Sequence, residues 1–125
     1  MTRWVVHASA EFSATHALTR YLGAPEEPHG HRWRVTIRVG ADALHAEGYA
    51  VDFAALHTLL QESLSPLDGT DLNAHVEIGV PSPTAERLAE VVAGWLREPV
   101  AALGAILVSV SVWEGPDNRV DLNLE

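Results

Sequence analysis

Alternation of apolar and polar residues along Arg3–Ala14 constrains the fold more than any other feature of the chain. Trp4, Val6, Ala8, Ala10, Phe12 and Ala14 share one parity, while Arg3, His7, Ser9 and Glu11 take the other. A period of two sends successive side chains to opposite faces, so this segment reads as a half-buried strand. The pattern recurs three times. Trp33, Val35, Ile37 and Val39 oppose Arg32, Arg34, Thr36 and Arg38; Ile106, Val108, Val110 and Val112 oppose Leu107, Ser109, Ser111 and Trp113. A short fourth run sets Val120, Leu122 and Leu124 against Arg119, Asp121 and Asn123.

Between the second and third runs the period changes to that of a helix. One helical segment extends from about Asp52 to Ser65, with Asp52 as N-cap and Phe53, Leu56, Leu60 and Leu64 at helical spacing. The other opens at "SPTAE", where Ser82 can cap and Pro83 fits the first helical position. Its stripe is Leu88, Val91, Val92, Trp95 and Leu96. The order β-β-α-α-β-β predicts an α+β fold, a four-stranded antiparallel sheet carrying both helices on its apolar face. With 125 residues and no internal repeat, the chain reads as one domain spanning residues 1–125. The Pro66–Pro81 connection is long enough to suggest a functional role.

Composition narrows the function classes. A formal charge of −9 argues against a nucleic-acid partner, which needs clustered Lys and Arg. The basic stripe Arg32, Arg34 and Arg38 reads as a solvated strand face. No apolar run is long enough to span a bilayer, and the N-terminus leads into alternation rather than a signal core. No membrane partner and a cytoplasmic location are therefore expected. The absence of cysteine rules out disulfides, thiolate metal sites and a cysteine nucleophile.

The apolar register of the first strand continues past Ala14 to His16, and that of the second runs back from Trp33 to His31 and His29. In an antiparallel hairpin these three imidazoles meet at one end of the sheet, on the helix-covered side. Three neutral imidazoles suit zinc and leave a fourth position for water or substrate. Such a site can polarise a substrate oxygen or lower the pKa of bound water. His7, His45 and His57 read as a polar strand face, a loop and a helix flank. On the third strand Glu114 follows Val112 in register, so it is either a buried carboxylate needing a partner or a solvated residue at the Gly115–Asn118 turn.

In this order the residues resemble the 6-pyruvoyl-tetrahydropterin synthase and 6-carboxytetrahydropterin synthase family. "FSATHAL" is similar to its F-x-A-x-H-x-L stretch, and "HGHRWRV" to its H-G-H-aromatic strand. "GYAVDFAAL", "LDGTDLN", "PTAE" and "VWEG" resemble its G-x-V-x-D-F-x-x-L, L-D-H-x-x-L-N, P-T-x-E and V-x-E-T motifs. The resemblance implies a tunnelling fold whose subunits join sheets into a barrel, commonly a hexamer made of two trimers. It implies Zn2+ on His16, His29 and His31. It also implies a pterin or related purine-like ligand anchored by Glu114, with Thr84 and Ala85 helping to hold the ring. Asp68 matches the aspartate of the family's catalytic pair.

Two departures bear on the chemistry. The family's catalytic cysteine precedes H-G-H, where this chain has Pro25, Glu26, Glu27 and Pro28; its catalytic histidine follows the aspartate, where Gly69 stands. Positioned acid–base groups contribute about 10²–10⁴-fold each, so the usual reaction should be crippled. Some family members have a glutamate in place of the cysteine and act as side-chain lyases. Glu26 or Glu27 is a candidate base, against the simpler reading of "PEEP" as an exposed acidic turn. His75 is a candidate acid, against the simpler reading of a surface-loop histidine. Three functions follow: a zinc-dependent lyase acting on the side chain of a 6-substituted dihydropterin, a non-catalytic pterin binder, and a three-histidine zinc hydrolase unrelated to pterins.

Overall fold

The computed structural model describes residues 2–125. Two long strands, β1 (Trp4–His16) and β2 (His29–Ala41), form an antiparallel hairpin in unbroken register from Trp4↔Ala41 to His16↔His29. Helix α1 (Phe53–Leu64) follows, then a connection containing the two-residue strand β3 (Thr70–Asp71). Helix α2 (Ala85–Ala102) leads into the antiparallel strands β4 (Ile106–Glu114) and β5 (Asn118–Asn123). The sheet order is β3-β1-β2-β4-β5.

The four long strands are therefore the antiparallel set expected from alternation, and β3 adds a fifth, parallel to Ala14 and Thr15 of β1. A two-residue strand is too short to show a period, so nothing in the sequence pattern announces it. It is fixed from outside: Gly69 N–H donates to the Ser13 carbonyl at 2.7 Å, and Ser13 N–H donates to Asp68 Oδ1 at 2.8 Å.

Trp33, Val35, Ile37 and Val39 of β2 are fully buried against Leu56, Leu60 and Leu64 of α1 and Leu88, Val92 and Leu96 of α2. Each such side chain contributes roughly 1.5–3 kcal/mol by leaving water. Asp52 caps α1, accepting from Ala54 N–H at 2.9 Å, as the sequence predicts. Phe53 departs from the predicted stripe and is 73% exposed. Helical Cβ atoms tilt toward the N-terminus, so a first-turn side chain projects past the surface its helix covers.

The cap of α2 also differs from expectation. Thr84, not Ser82, accepts from Arg87 N–H at 3.0 Å, and the helix begins two residues later than Pro83. Ser82 instead accepts from Thr19 N–H at 3.1 Å, and Thr19 Oγ1 donates to the Pro81 carbonyl at 3.1 Å. The residues that would start the helix are taken up in binding the chain just past β1.

On β4 the register shifts between Arg38 and Val39, so that Arg38 pairs with Ser109 and Val39 with Leu107. The bulge reverses the faces at the start of the strand. Leu107 is buried at 5% exposure and Ile106 is 58% exposed, opposite to the simple alternation.

Candidate metal centre and ligand pocket

Register alone brings the three histidines together. His16 sits opposite His29, and Ala14 opposite His31, so all three side chains leave the same face at the same end of the hairpin. Their ring centroids lie 4.6 Å (His16–His29), 5.3 Å (His16–His31) and 4.7 Å (His29–His31) apart. Trp33 forms the floor, its ring edge-on to His16 at 4.8 Å and its Nε1–H donating to the Ala14 carbonyl at 3.1 Å.

Backbone carbonyls set two of the tautomers. His16 Nδ1 lies 2.8 Å from the Pro83 carbonyl oxygen, and His29 Nδ1 lies 3.0 Å from that of Glu27. A carbonyl only accepts, so each Nδ1 carries the proton and each neutral ring turns an Nε2 lone pair away from it. Such a carbonyl contact is the usual outer support of a metal-bound imidazole. One ligand atom from each histidine lies within 4.8 Å of the others.

The fit to a metal rests on two atoms. His16 Nε2 and His31 Nε2 are buried and have no hydrogen-bond partner. Leaving buried polar atoms unpaired is costly, and a cation held by both would relieve it. The donors are all imidazole, which suits zinc and excludes the oxygen-rich surroundings preferred by calcium and magnesium. Burial pushes the His31 pKa below its ordinary value, and the neighbouring His16 and His29 push it the same way. Glu114 and Glu26 oppose that shift in part. The neutral, metal-competent form of His31 is thus favoured.

Glu114 continues the register of Val112 and is half-buried, 30% exposed. It pairs with Trp33 across β2 and β4, and its carboxylate turns to the histidines. Oε1 lies 2.9 Å from His16 Nε2 and Oε2 4.0 Å from His31 Nε2. With its proton on Nδ1, His16 has no hydrogen at Nε2 to offer this carboxylate, and Nε2 has no hydrogen-bond partner. Glu114 also lines a cavity of about 510 Å³ together with Thr84, Ala85, Glu86, Asp117 and Arg119. The three residues matched to ligand binding therefore border one space.

The candidate catalytic residues separate. Glu26 Oε1 accepts from Leu18 N–H at 3.0 Å and lies 3.8 Å from His29 Nδ1, so this carboxylate sits at the edge of the centre. The Glu27 side chain is exposed, and only its carbonyl supports His29. Asp68 holds Ser13 N–H on the opposite parity of β1. His75 Nδ1 accepts from Glu77 and Ile78 N–H, each at 3.2 Å, with its ring 5.8 Å from Trp95. Among the described residues, no hydrogen bond or ion pair links Asp68 or His75 to the three histidines. Gly69 has φ +75°, a left-handed conformation that glycine adopts freely.

Asn73 emerges only from the structure. Its Oδ1 accepts from Ala17 N–H at 2.8 Å and its Nδ2 donates to the Ala17 carbonyl at 2.7 Å, pairing with the backbone immediately after His16. Its place in "LDGTDLN" was the available signal, since an amide can satisfy both groups of one residue at once.

The family model described as 6-pyruvoyl tetrahydropterin synthase matches residues 5–125. No curated protein matches the chain by sequence. Among solved structures, Caenorhabditis elegans 6-pyruvoyl tetrahydropterin synthase is similar, with a TM-score of 0.79, 19% identity and coverage of 100% of this chain and 99% of that one. An uncharacterised protein from Wolinella succinogenes has a TM-score of 0.81, 16% identity and coverage of 98% of both chains. A Plasmodium vivax 6-pyruvoyltetrahydropterin synthase, with a glutamate changed to cysteine and described as a catalytic residue mutant, gives 0.73 at 16% identity, covering 98% and 100%. At these identities the likeness speaks for the fold.

Proposed function

Because the chain belongs to the 6-pyruvoyl tetrahydropterin synthase family, we propose that it is a zinc-dependent pterin-binding lyase with altered acid–base groups. His16, His29 and His31 hold the metal, and the observation that carries this is the pair of buried, unpartnered Nε2 atoms on His16 and His31. Zinc bound there supplies a Lewis acid for a side-chain oxygen of the substrate.

The ligand is a 6-substituted dihydropterin. Glu114 accepts two parallel N–H bonds from its aminopyrimidine edge, and Thr84 and Ala85 border the ring. Glu26 takes the base position. Its carboxylate lies 3.8 Å from His29 Nδ1, on the outer side of that ring, whereas the Glu27 side chain is exposed. The Plasmodium vivax relative, in which a glutamate is described as the catalytic residue, supports a glutamate in this role. Asp68 and His75 have no proton-transfer role in this reading. The outcome is cleavage or rearrangement of the pterin side chain, with subunits joined through their sheets into a barrel-shaped oligomer.

A second reading, a pterin binder without turnover, draws on the bond between Glu26 and Leu18 N–H and on the missing side chain at Gly69. Zinc analysis of the purified protein, followed by calorimetric titration and product analysis with 7,8-dihydroneopterin and its triphosphate, tests both. Stoichiometric zinc, ligand binding and side-chain cleavage are expected. Binding without product selects the second reading. Absence of both zinc and pterin binding overturns both.

A further inference from the structure

We propose that Glu114 has two mutually exclusive partners: it closes the metal centre as a fourth donor when the ligand pocket is empty, and releases it when a ligand's N–H edge arrives. The inference rests on the histidines holding a metal, and it concerns what controls access to that metal.

His16 Nδ1–H is directed at the Pro83 carbonyl, so a neutral His16 presents only a lone pair at Nε2. An ionised carboxylate likewise only accepts. Yet Glu114 Oε1 lies 2.9 Å from that nitrogen, which has no hydrogen-bond partner. Two acceptor atoms at this distance repel unless a proton or a metal ion lies between them. His31 Nε2, the other unpartnered nitrogen, faces the second carboxylate oxygen at 4.0 Å. With bonds of about 2.0–2.2 Å, tetrahedral zinc holds its donor atoms roughly 3.3–3.5 Å apart. The two Glu114 contacts fall on either side of that spacing.

Glu114 also has somewhere else to go. Its side chain is 30% exposed and borders the cavity shared with Thr84 and Ala85. A carboxylate between a metal and a ligand pocket can serve one or the other, since the same two oxygens make both sets of contacts. A ligand offering paired N–H donors draws it outward and opens the fourth coordination position as the substrate side chain enters. Linkage makes the effect reciprocal, so a ligand that engages Glu114 without donating to the metal weakens metal binding.

Cobalt(II) in place of zinc makes the coordination visible. The absorption spectrum of the cobalt protein is expected to change in Glu114→Gln and Glu114→Ala, and zinc affinity by chelator competition to fall at least about tenfold. Unsubstituted pterin, which has the N–H edge but no side chain, is expected to shift the wild-type cobalt spectrum toward that of Glu114→Gln. Identical spectra and zinc affinities within twofold, together with a wild-type spectrum unmoved by saturating pterin, overturn the inference and leave the metal reading intact. A wild-type protein that binds no cobalt or zinc overturns both. Should the variants misfold by circular dichroism, the pterin titration of the wild-type protein decides alone.

Discussion

Glu26 and Leu18 form a two-way bridge across the β1–β2 connection. The Glu26 carboxylate accepts from Leu18 N–H at 3.0 Å, and Glu26 N–H donates to the Leu18 carbonyl at 3.0 Å. The bridge turns the "PEEP" segment back on the end of β1 and leaves one of its two carboxylates 3.8 Å from His29. Neighbouring glutamates of identical chemistry thus receive different environments.

That asymmetry gives a direct comparison. Glu26→Gln is expected to lower turnover of a dihydropterin substrate by about 10²–10⁴-fold, the range for a positioned base. Glu27→Gln should remain near wild type, because its carboxylate touches nothing in the centre. Steady-state rates for the two variants check this; equal losses, or none in either, would remove Glu26 from the base position.

The bond pair between Asn73 and Ala17 ties the Leu72–Ala74 turn to the residue after His16. In Asn73→Ala both Ala17 groups lose their partner. At about 0.5–1.5 kcal/mol net for each bond, stability should fall by roughly 1–3 kcal/mol. Zinc affinity should fall by up to about tenfold as the backbone next to His16 loses its tether, although the Pro83 carbonyl still holds the ring. Denaturant titration of the metal-free protein separates the first effect from the second, which is read by chelator competition.

The reach of sequence reasoning followed the physics of each element. Period-two runs on β1 and β2 carry their own register, so convergence of His16, His29 and His31 could be read before any coordinates, and continuing the parity of β4 reached Glu114. Alternation says nothing about where an extra residue enters a strand, so the faces of Ile106 and Leu107 came out reversed. Local capping rules favoured Ser82, but its hydroxyl is claimed by Thr19, far away in sequence. Asp68 and Asn73 likewise bond backbone groups of Ser13 and Ala17 that only the folded connection brings near, whereas His75 bonds its own neighbours Glu77 and Ile78.

The bulge on β4 is testable by truncation. Leu107→Ala should cost about 2–5 kcal/mol, as expected when a buried leucine leaves a cavity. Ile106→Ala should cost less than about 1 kcal/mol, because the side chain is 58% exposed. Unfolding free energies for the two variants measure the difference; a reversed order would mean that the strand follows plain alternation.

Burial, with His16 and His29 alongside, lowers the His31 pKa from its usual 6.5 in the metal-free protein. The unfolded chain therefore takes up this proton at higher pH than the folded one. The associated stability is fully present above about pH 6.5 and is lost as pH falls through the folded-state value. In EDTA, the melting temperature of the wild-type protein should decline as pH drops below about 6.5. His31→Gln should show a shallower decline over the same interval, since glutamine does not titrate. Thermal melts of both proteins across that range provide the check, and parallel curves would assign the acid sensitivity to other groups. Zinc reverses the position: by holding His31 neutral and adding a ligand that binds only the folded state, it should raise the melting temperature and move the acid limb to lower pH.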